Sequence, residues 1–361
     1  MVRLTDSVEG IRWKIEEIDN EILDLIKKRM SIAVAMGHHK VDKAMPVRDM
    51  RVEEQVRNRY LARAKEVGIS DAAAIELSAL LVRESVEAQA KLPRPMKPRK
   101  VLVVGGGGAM GQWLCRFFAS RGHEVKVHDD LPGGEFPNVK LEPGVKEADV
   151  IAVSSHISAT AETLRQIFKL KPKGLVFDIA SVKSPIVEVL KEGADQGLLV
   201  CSIHPMFGPS ASFIFARNLI VCNCGSDLAV NKFMPLLNGT GANVLEMPVE
   251  EHDKIISVVL GMSHALNLAF FGALKESGFS QEELRKASST TFEKQMNISG
   301  NVARESPNLY YEIQHLNPHN REMLEKLIVA LREVQQAGSE EDRSHMIRLM
   351  QEGRRYFEVK Q

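Results

Sequence analysis

The chain has 361 residues, enough for two or three domains, and its 47 basic residues (Lys and Arg) balance its 47 acidic ones (Asp and Glu). This balance argues against a protein that binds nucleic acid or a membrane surface through its overall charge. No apolar run approaches the ~20 residues needed to span a bilayer, and the N-terminus lacks the apolar core of a signal peptide, so we expect a cytoplasmic protein.

Residues 1–92 carry helical periodicity and no strand signal. Apolar residues recur at helical spacing from Ile11 onward, which predicts a first helix of more than about 30 residues. Such a helix has no partner of equal length within this segment, so we expect it to pair with another subunit. Met45 and Pro46 interrupt the pattern. The predicted helices run from Ile11 to Lys40, from Arg48 to Val67 and from Ala72 to Lys91.

Seven polar residues recur within these helices, and each taken alone is more simply explained as part of a solvated face. They are Arg12, Arg29, Lys40, Asp49, Glu53, Ser85 and Gln89. Their joint spacing, with Pro46 between the first two helices, resembles the all-helical chorismate mutase family over roughly residues 5–92. The resemblance implies a domain that rearranges chorismate to prephenate.

The resemblance gives four of these residues a role in binding substrate and stabilising the transition state. Arg29 and the partner subunit's Arg12 would hold the two substrate carboxylates. Lys40 and Gln89 would donate hydrogen bonds to the ether oxygen as negative charge develops there. A Claisen rearrangement needs no nucleophile and no proton transfer, so a compact substrate conformer and preorganised donors are what the domain must supply.

Three further residues complete the implied mutase site. Glu53 and Asp49 would hold the substrate hydroxyl and the local hydrogen-bond network, and Ser85 would contact substrate. The chain departs from the family at one position, because Val52 stands where an arginine usually precedes the glutamate. Arg51 points about 100° away around a helix, which puts the affinity for one carboxylate in question.

The stretch from Lys91 to Lys100 contains three prolines and five basic residues, which predicts a stiff extended spacer. A basic binding tail is the alternative. It suits the stretch less well, because the run is short and leads directly into a strand. We expect an all-helical domain at 1–92, a linker at 93–98, an α/β domain at 99–246 and a helical domain at 247–361.

A glycine-rich turn follows the linker. Four apolar residues from Val101 read as a buried strand, the turn carries the spacing G-x-G-x-x-G, and helical spacing follows from Gln112. A second strand ends at Asp129, about 20 residues after the glycines, where an acid binds an adenosine ribose hydroxyl. The combination predicts an NAD site more strongly than a glycine turn in an unrelated α/β domain, and Asp129 favours NAD over NADP. The residues expected to bind the cofactor are Gly106, Gly108, Ala109, Met110, Gly111, Asp129 and Ser154.

Strand patterns alternate with helical ones through residues 149–247, which predicts a doubly wound parallel sheet, a Rossmann domain. Ligands gather at the carboxyl ends of strands in such sheets. Ser154, Ser181 and His204, like Asp129, stand at or just after predicted strand ends, so we expect them on one rim. A single histidine is most often structural. Here, however, His204 follows a strand on the expected ligand rim, where a neutral imidazole can accept a hydroxyl proton as hydride leaves the same carbon.

The four cysteines show no zinc-like pairing, so we expect reduced thiols and no metal site. Two of them, Cys201 and Cys222, lie in strand-like runs. The other two are Cys115 and Cys224.

The motifs Asp178–Lys183 and His204–Pro209 resemble the prephenate dehydrogenase family. The resemblance implies that His204 takes the proton of the ring C4 hydroxyl and that Ser181 orients either His204 or that hydroxyl. Hydride then passes to nicotinamide while the ring carboxylate leaves as CO₂. With the mutase-like segment in front, nearly the whole chain is similar to the bifunctional chorismate mutase–prephenate dehydrogenases of the T-protein family. The similarity implies a homodimer of tyrosine biosynthesis that makes 4-hydroxyphenylpyruvate with NAD and is subject to feedback by tyrosine.

Residues 247–361 are helical by period, with a long helix that opens at Glu250 and a last charged helix from Ser339 to Gln361. The resemblance makes this part the dimer core that closes over the substrate. His252 and His264 match family histidines, and His264 would line the substrate pocket. His252 is equally well explained as a brace for its helix.

The family pattern fails at one substrate-binding position. Just after Gly300 the expected arginine is Asn301, and an asparagine cannot neutralise a carboxylate. Either Arg304 or Lys294, both on the same helical stretch, takes over, or the substrate is held differently, or it is arogenate or a 4-amino analogue. A non-catalytic NAD-binding dimer is the remaining alternative, and the mutase-like residues together with His204 argue against it.

Overall fold

The computed structural model of the chain describes residues 7–43, 45, 47–90, 92, 97–130, 134–211 and 213–358. Its helices are α1 Val8–Asp42, α2 Met50–Val67, α3 Asp71–Ala90, α4 Ala109–Ala119, α5 Leu141–Glu147, α6 Ile157–Lys169, α7 Val187–Asp195, α8 Asp227–Phe233, α9 Val249–Ile256, α10 Ser263–Glu276, α11 Gln281–Lys286, α12 Thr290–Val302, α13 Pro307–Leu316, α14 Asn320–Ser339 and α15 Ser344–Phe357. Its strands are β1 Lys100–Val104, β2 Glu124–His128, β3 Val150–Val153, β4 Leu175–Asp178, β5 Val200–Pro205, β6 Asn218–Asn223 and β7 Asn243–Pro248. The predicted order of a helical domain, a Rossmann domain and a second helical domain is confirmed.

The chain forms two compact units. The first comprises Met1–Ser155, Thr163–Ile179 and Gly193–Glu246, and the second comprises His156–Glu162, Ala180–Glu192 and Met247–Gln361. The three N-terminal helices and the sheet therefore belong to the first unit. The C-terminal helices and the loop that follows β4 belong to the second.

The first helix, α1, has 35 residues and begins at a Ser7 cap whose hydroxyl accepts the Gly10 N–H. Both α1 and α2 pack against α3. Helix α2 begins at Met50, two residues after the predicted start, because the Asp49 carboxylate caps it by accepting the Arg51 N–H at 3.0 Å. The predicted break at Pro46 and most of the predicted linker (93–96) lie outside the described residues.

One face of α1 is exposed and apolar. Ile15, Ile18, Leu25 and Ile32 lie within about 100° around the helix and all have more than half of their surface accessible. An apolar stripe of this length on a monomer is typical of a surface that another chain covers.

The sheet has seven strands in the order β2-β1-β3-β4-β5-β6-β7. The ladders from β2 to β5 are parallel, as predicted. Strands β1, β3, β4 and β5 are buried along nearly their whole length, whereas the edge strand β2 is buried only at alternate residues. Strand β6, however, runs antiparallel to β5. The connection between them contains no helix among its described residues, and a parallel crossover needs one.

This antiparallel pairing also corrects the position predicted for His204. The histidine was expected just after its strand, but β5 extends to Pro205 and His204 is paired with Ile220 of β6. Its side chain is 3% exposed. The ladder continues past the predicted end because the Met206 N–H donates to the Asn218 carbonyl at 3.0 Å.

In the second unit a continuous helix runs through α9, a π-helical segment at Ser257–Met262 and α10. This stretch, Val249–Glu276, is long and apolar enough to cross a membrane, with a mean hydropathy of 1.7 and 22% of that window buried. The expectation that no apolar run approaches this length was wrong for this stretch, in which polar residues interrupt the apolar ones. A helix that packs in a subunit interface meets the same test. The last predicted helix begins at Ser344 instead of Ser339, because α14 extends to Ser339.

Candidate active sites

The glycine turn joins β1 to α4 in the predicted geometry. The Gly105 N–H donates to the His128 carbonyl at 2.8 Å, which ties the turn to the end of β2. The Gly107 N–H donates to Asp129 Oδ2, also at 2.8 Å. Gly108 is the N-cap of α4 and brings no side chain to it, so the first amides of the helix are left for a ligand.

Close backbone approaches explain why glycine stands at several positions of the turn. A Cβ at Gly111 would overlap the Gly105 carbonyl oxygen and lie 2.7 Å from Gly106 Cα. A Cβ at Gly105 would lie 2.6 Å from the Ser154 carbonyl oxygen, so the turn also touches the end of β3. Gly108 differs, because its nearest neighbour would be 3.6 Å away.

These features fit a dinucleotide. The turn presents backbone amides without side chains, Ala109 and Met110 form the first turn of α4, and the Asp129 carboxylate lies beside the Gly107 amide. Ser154 is half-buried at the end of β3. The residues predicted to bind the cofactor therefore lie together around one turn.

Two alanine substitutions separate folding from cofactor binding in this turn. Gly111→Ala should lower the melting temperature of the apo protein by several degrees, because its Cβ has no room. Gly108→Ala should leave that temperature nearly unchanged, because its Cβ would meet no protein atom closer than 3.6 Å. It should weaken NAD binding, because it adds a side chain at the turn that is expected to bind the pyrophosphate. Thermal unfolding with and without NAD measures both. Equal destabilisation of the two apo variants would contradict this account.

In the N-terminal helices, Arg29 and Ser85 come together across α1 and α3. The Arg29 guanidinium donates to the Ser85 hydroxyl and, at 2.7 Å, to the Leu81 carbonyl. Farther along both helices, Gly37 allows close approach of Gln89, since a Cβ there would lie 2.8 Å from Gln89 Cγ. Gln89 is buried, and its Oε1 accepts no hydrogen bond from the described residues. A buried polar atom without a hydrogen bond is consistent with a side chain that hydrogen-bonds a ligand.

Lys40 and Glu53 lie at the two sides of the α1–α2 connection. Lys40 Nζ donates to the Val47 carbonyl at 2.5 Å. Arg48 donates to both oxygens of the Glu53 carboxylate, from Nε to Oε1 at 2.7 Å and from Nη2 to Oε2 at 3.0 Å. Arg48 was not predicted from the sequence. The Arg51 side chain is 91% exposed.

Arg12 lies apart from the other mutase residues of its own chain. It is exposed near the start of α1, about 26 Å along the helix axis from Arg29. It therefore cannot join the Arg29–Ser85 group within one chain, and its assignment to the partner's site stays a prediction. Asp49 serves α2 as a cap, so its predicted contact with substrate also remains a prediction.

In the second unit a buried carboxylate holds the loop that follows β4. Asp253 accepts the N–H groups of Lys183 (2.8 Å) and Ser184 (2.6 Å) and the Ser184 hydroxyl (2.5 Å). His252 Nδ1 lies 2.7 Å from Asp253 Oδ1, the oxygen that also accepts the Lys183 N–H, while Ser184 occupies Oδ2. Ser181 lies in this loop, directly before the buried pair Val182 and Lys183.

These hydrogen bonds set the charge state of Asp253. Burial acts to raise the pKa of Asp253, but the hydrogen bonds from His252, Ser184 and Lys183 outweigh it and lower that pKa to about 2 from 3.8. A folded-state pKa below the unfolded one stabilises the protein above about pH 4, and the stabilisation is lost as pH falls through 2. The shift corresponds to about 2 kcal/mol at neutral pH.

Asp253→Asn should therefore lower the free energy of unfolding at pH 7 by about 2 kcal/mol, and the difference from wild type should narrow toward pH 3. Urea unfolding at both pH values measures this. Glu251→Gln is the matched control, because that carboxylate pairs with Lys254 in an exposed ion pair and should contribute little. A difference between wild type and Asp253→Asn that stays constant with pH would contradict the assigned ionisation.

Two further groups of the second unit concern the predicted substrate pocket. The His264 ring stacks on Tyr310 with centroids 4.3 Å apart, and burial lowers the pKa of His264, which favours the neutral ring. Its Nδ1 is buried without a partner among the described residues. Arg304 Nη2 donates to Asn301 Oδ1 at 2.7 Å, so a cation lies beside the position where the family arginine was expected. His204 lies in the first unit and Ser181 in the second, and their common rim stays a prediction.

Three family models match the chain in order. Chorismate mutase type II matches residues 11–90. The prephenate dehydrogenase nucleotide-binding domain matches residues 133–246, and the prephenate dehydrogenase dimerization domain matches residues 248–352. The chain belongs to the prephenate dehydrogenase family. With its mutase domain it is a bifunctional chorismate mutase and NAD-dependent prephenate dehydrogenase of tyrosine biosynthesis, which confirms the resemblance found in the sequence. The dimerization domain supports a homodimer that acts on small molecules.

Individual proteins agree with this assignment. The T-protein of Enterobacter agglomerans is 24% identical over 312 residues, which cover 84% of this chain and 80% of that protein. A probable arogenate/prephenate dehydrogenase of Methanocaldococcus jannaschii is 28% identical over 71% of this chain, and the match spans 60% of that relative. The structure of A. aeolicus prephenate dehydrogenase with hydroxyphenyl propionate and NAD⁺ aligns with a TM-score of 0.60, at 18% identity, over 72% of this chain and 98% of that one. At that identity the structural match shows a common fold.

Proposed function

We propose that the enzyme rearranges chorismate in residues 1–92 and oxidises the resulting prephenate in residues 99–361, joined by the linker at 93–98. The observation that carries the first half is the polar group built from α1 and α3, in which Arg29 meets Ser85 and the buried Gln89 lies farther along the same face. Such donors in a low-dielectric site are what a Claisen transition state needs. We place the enzyme in the cytoplasm.

In the mutase site, Arg29 binds one substrate carboxylate and the partner subunit's Arg12 binds the other. Lys40 and Gln89 donate to the ether oxygen as the C–O bond breaks. Lys40 already lies within hydrogen-bond distance of the Val47 carbonyl, which holds its ammonium near the α1–α2 connection. The exposed apolar face of α1 supports a dimer in which each chain completes the other's site.

In the dehydrogenase site, bound NAD supplies the hydride acceptor. The turn at Gly106–Gly111, with Asp129 and Ser154, would hold it, and the Gly107–Asp129 hydrogen bond and the close backbone approaches of the turn support this assignment. His204 takes the proton of the C4 hydroxyl, and its strand position keeps the imidazole in one orientation. Ser181 orients that hydrogen bond, and His264 lines the pocket. Loss of CO₂ then makes the ring aromatic.

We propose prephenate as the dehydrogenase substrate, with Arg304 as the cation for its side-chain carboxylate. The Arg304–Asn301 hydrogen bond supports this assignment, because it brings a guanidinium to the place of the missing arginine. Asn301 also motivates the second candidate. Arogenate or a 4-amino analogue carries an amine, and an amide oxygen can accept a hydrogen bond from an amine.

NADH formation with NAD and chorismate, prephenate or arogenate in separate assays tests the proposal. NADH from both chorismate and prephenate is the expected result. NADH from arogenate alone would show that arogenate, the second candidate, is the substrate. No NADH from any of the three would contradict the proposed dehydrogenase activity. Tyrosine is proposed as a feedback inhibitor from family resemblance, and its addition to the same prephenate assay tests that separately.

A further inference from the structure

Arg48 joins the mutase helices to the nucleotide-binding domain, and all of its described partners lie in the first unit. Its Nε and Nη2 hold the two oxygens of Glu53. Its Nη1 donates to Asn243 Oδ1 at 3.1 Å, and its guanidinium lies 5.7 Å from the centre of the Phe215 ring. One side chain thus connects a proposed chorismate-binding residue to two residues of the Rossmann domain.

The Phe215 ring is held in place from both domains. It is 8% exposed and packs in one cluster with Val47 and Val86 of the mutase helices. On the other side Gly241 passes so close that a Cβ there would lie 2.6 Å from the ring. The ring therefore has little freedom to move away from the guanidinium.

The backbone beside this ring is strained. Ala216 has a φ of 53°, a left-handed conformation that a residue with a Cβ seldom adopts. Its N–H donates to the Gly241 carbonyl at 2.9 Å, and its carbonyl accepts Asn243 Nδ2 at 3.3 Å. Strain of this kind persists where the surroundings hold a residue firmly, and it concentrates at functional sites.

The same hydrogen bond orients Asn243. A carbonyl oxygen only accepts, so the side facing Ala216 must be the amide nitrogen. The Asn243 oxygen therefore faces Arg48, as a guanidinium requires. Arg48 has a rigid planar fork of donors, and contacts on three sides leave it one orientation toward Glu53.

We propose that Asn243 and Phe215 are positioning residues of the mutase reaction, so that the Rossmann domain completes the chorismate site. They hold Arg48, and Arg48 holds the Glu53 carboxylate ready for the substrate hydroxyl. The inference rests on the role proposed for Glu53. It also gives the mutase a cation beside Glu53, although Val52 stands where the family has its arginine.

Kinetics of Phe215→Leu and Asn243→Leu in the full-length chain test the inference. Leucine at 215 keeps the apolar contacts with Val47 and Val86 but removes the ring face, and leucine at 243 removes the acceptor. Each should raise KM for chorismate about five- to tenfold with kcat within about twofold, because the hydroxyl is held equally in the ground and transition states. The kinetic constants with prephenate and NAD should stay at wild-type values.

The change in KM separates positioning from loss of fold, since partial unfolding lowers kcat and leaves KM unchanged. Arg57→Ala is the control, because it removes an exposed cation of the same helix, and its KM should not change. Wild-type KM in both leucine variants, with a raised KM in Glu53→Gln, would overturn this inference alone. Wild-type KM in Glu53→Gln would overturn the proposed role of Glu53 and the inference with it.

Discussion

A His204→Asn enzyme is expected to oxidise prephenate about 10²- to 10⁴-fold more slowly than wild type and to rearrange chorismate at the wild-type rate. His204 is held in a buried strand, so its imidazole is positioned before substrate arrives. Asparagine has a similar reach and can hydrogen-bond to the C4 hydroxyl, but it cannot take up the proton at neutral pH. NADH formation from prephenate and the loss of chorismate absorbance measure the two activities.

His123→Asn controls for the cost of replacing a buried histidine in the same unit. His123 is 6% exposed and its Nδ1 accepts the Arg99 N–H at 3.2 Å. It lies just before the edge strand β2, which is separated from the β5 strand of His204 by β1, β3 and β4. This variant should keep prephenate turnover within a few fold of wild type. Wild-type turnover in His204→Asn would mean that another group takes the proton.

The glycine turn was predictable because its chemistry is local. Strand, turn, helix and the acid at the end of β2 lie within about 30 residues, and each step follows from backbone geometry that glycine alone allows. Asp129 and the turn meet as expected, through the Gly107 amide. The same holds for the helical segment. Arg29 and Ser85 were assigned to one site from the spacing that resembles the chorismate mutase family, and they form a hydrogen bond.

Residues that act through distant partners could not be predicted. Arg48 is five residues from Glu53, but its role depends on Asn243 and Phe215, which the chain supplies only after the whole nucleotide-binding fold is built. The structural role of Asp253 likewise depends on the Lys183 and Ser184 amides, and no periodicity in the sequence predicts such a contact. Long-range polar contacts of this kind can be identified only once the fold is known.

The strand positions show the same limit at smaller scale. An apolar run predicts a buried strand but not its direction. The sequence therefore did not predict that β6 runs antiparallel to β5. The extension of β5 past His204 follows from that direction. The resulting difference matters for chemistry, because an imidazole on a paired strand is less mobile than one on a loop.

Lys40→Ala is expected to lower the mutase kcat about 10²- to 10³-fold, as removal of one preorganised donor does elsewhere, and to leave the oxidation of added prephenate unchanged. The ammonium is half-buried at the end of α1, and the Val47 carbonyl holds it at 2.5 Å. Chorismate carries no charge on its ether oxygen until the C–O bond begins to break. The lost interaction therefore belongs mainly to the transition state, and KM should change little.

Lys43→Ala provides the matched control, because it removes an exposed lysine at the C-cap of the same helix. It should keep wild-type mutase activity, while Lys40→Arg should recover only part of it, since a planar guanidinium does not replace a compact ammonium. Loss of prephenate oxidation in Lys40→Ala would mean that the two activities share more than the Arg48 contact. An unchanged mutase kcat would mean that Gln89 alone stabilises the developing charge, and the buried Gln89 side chain would then be the residue to replace next.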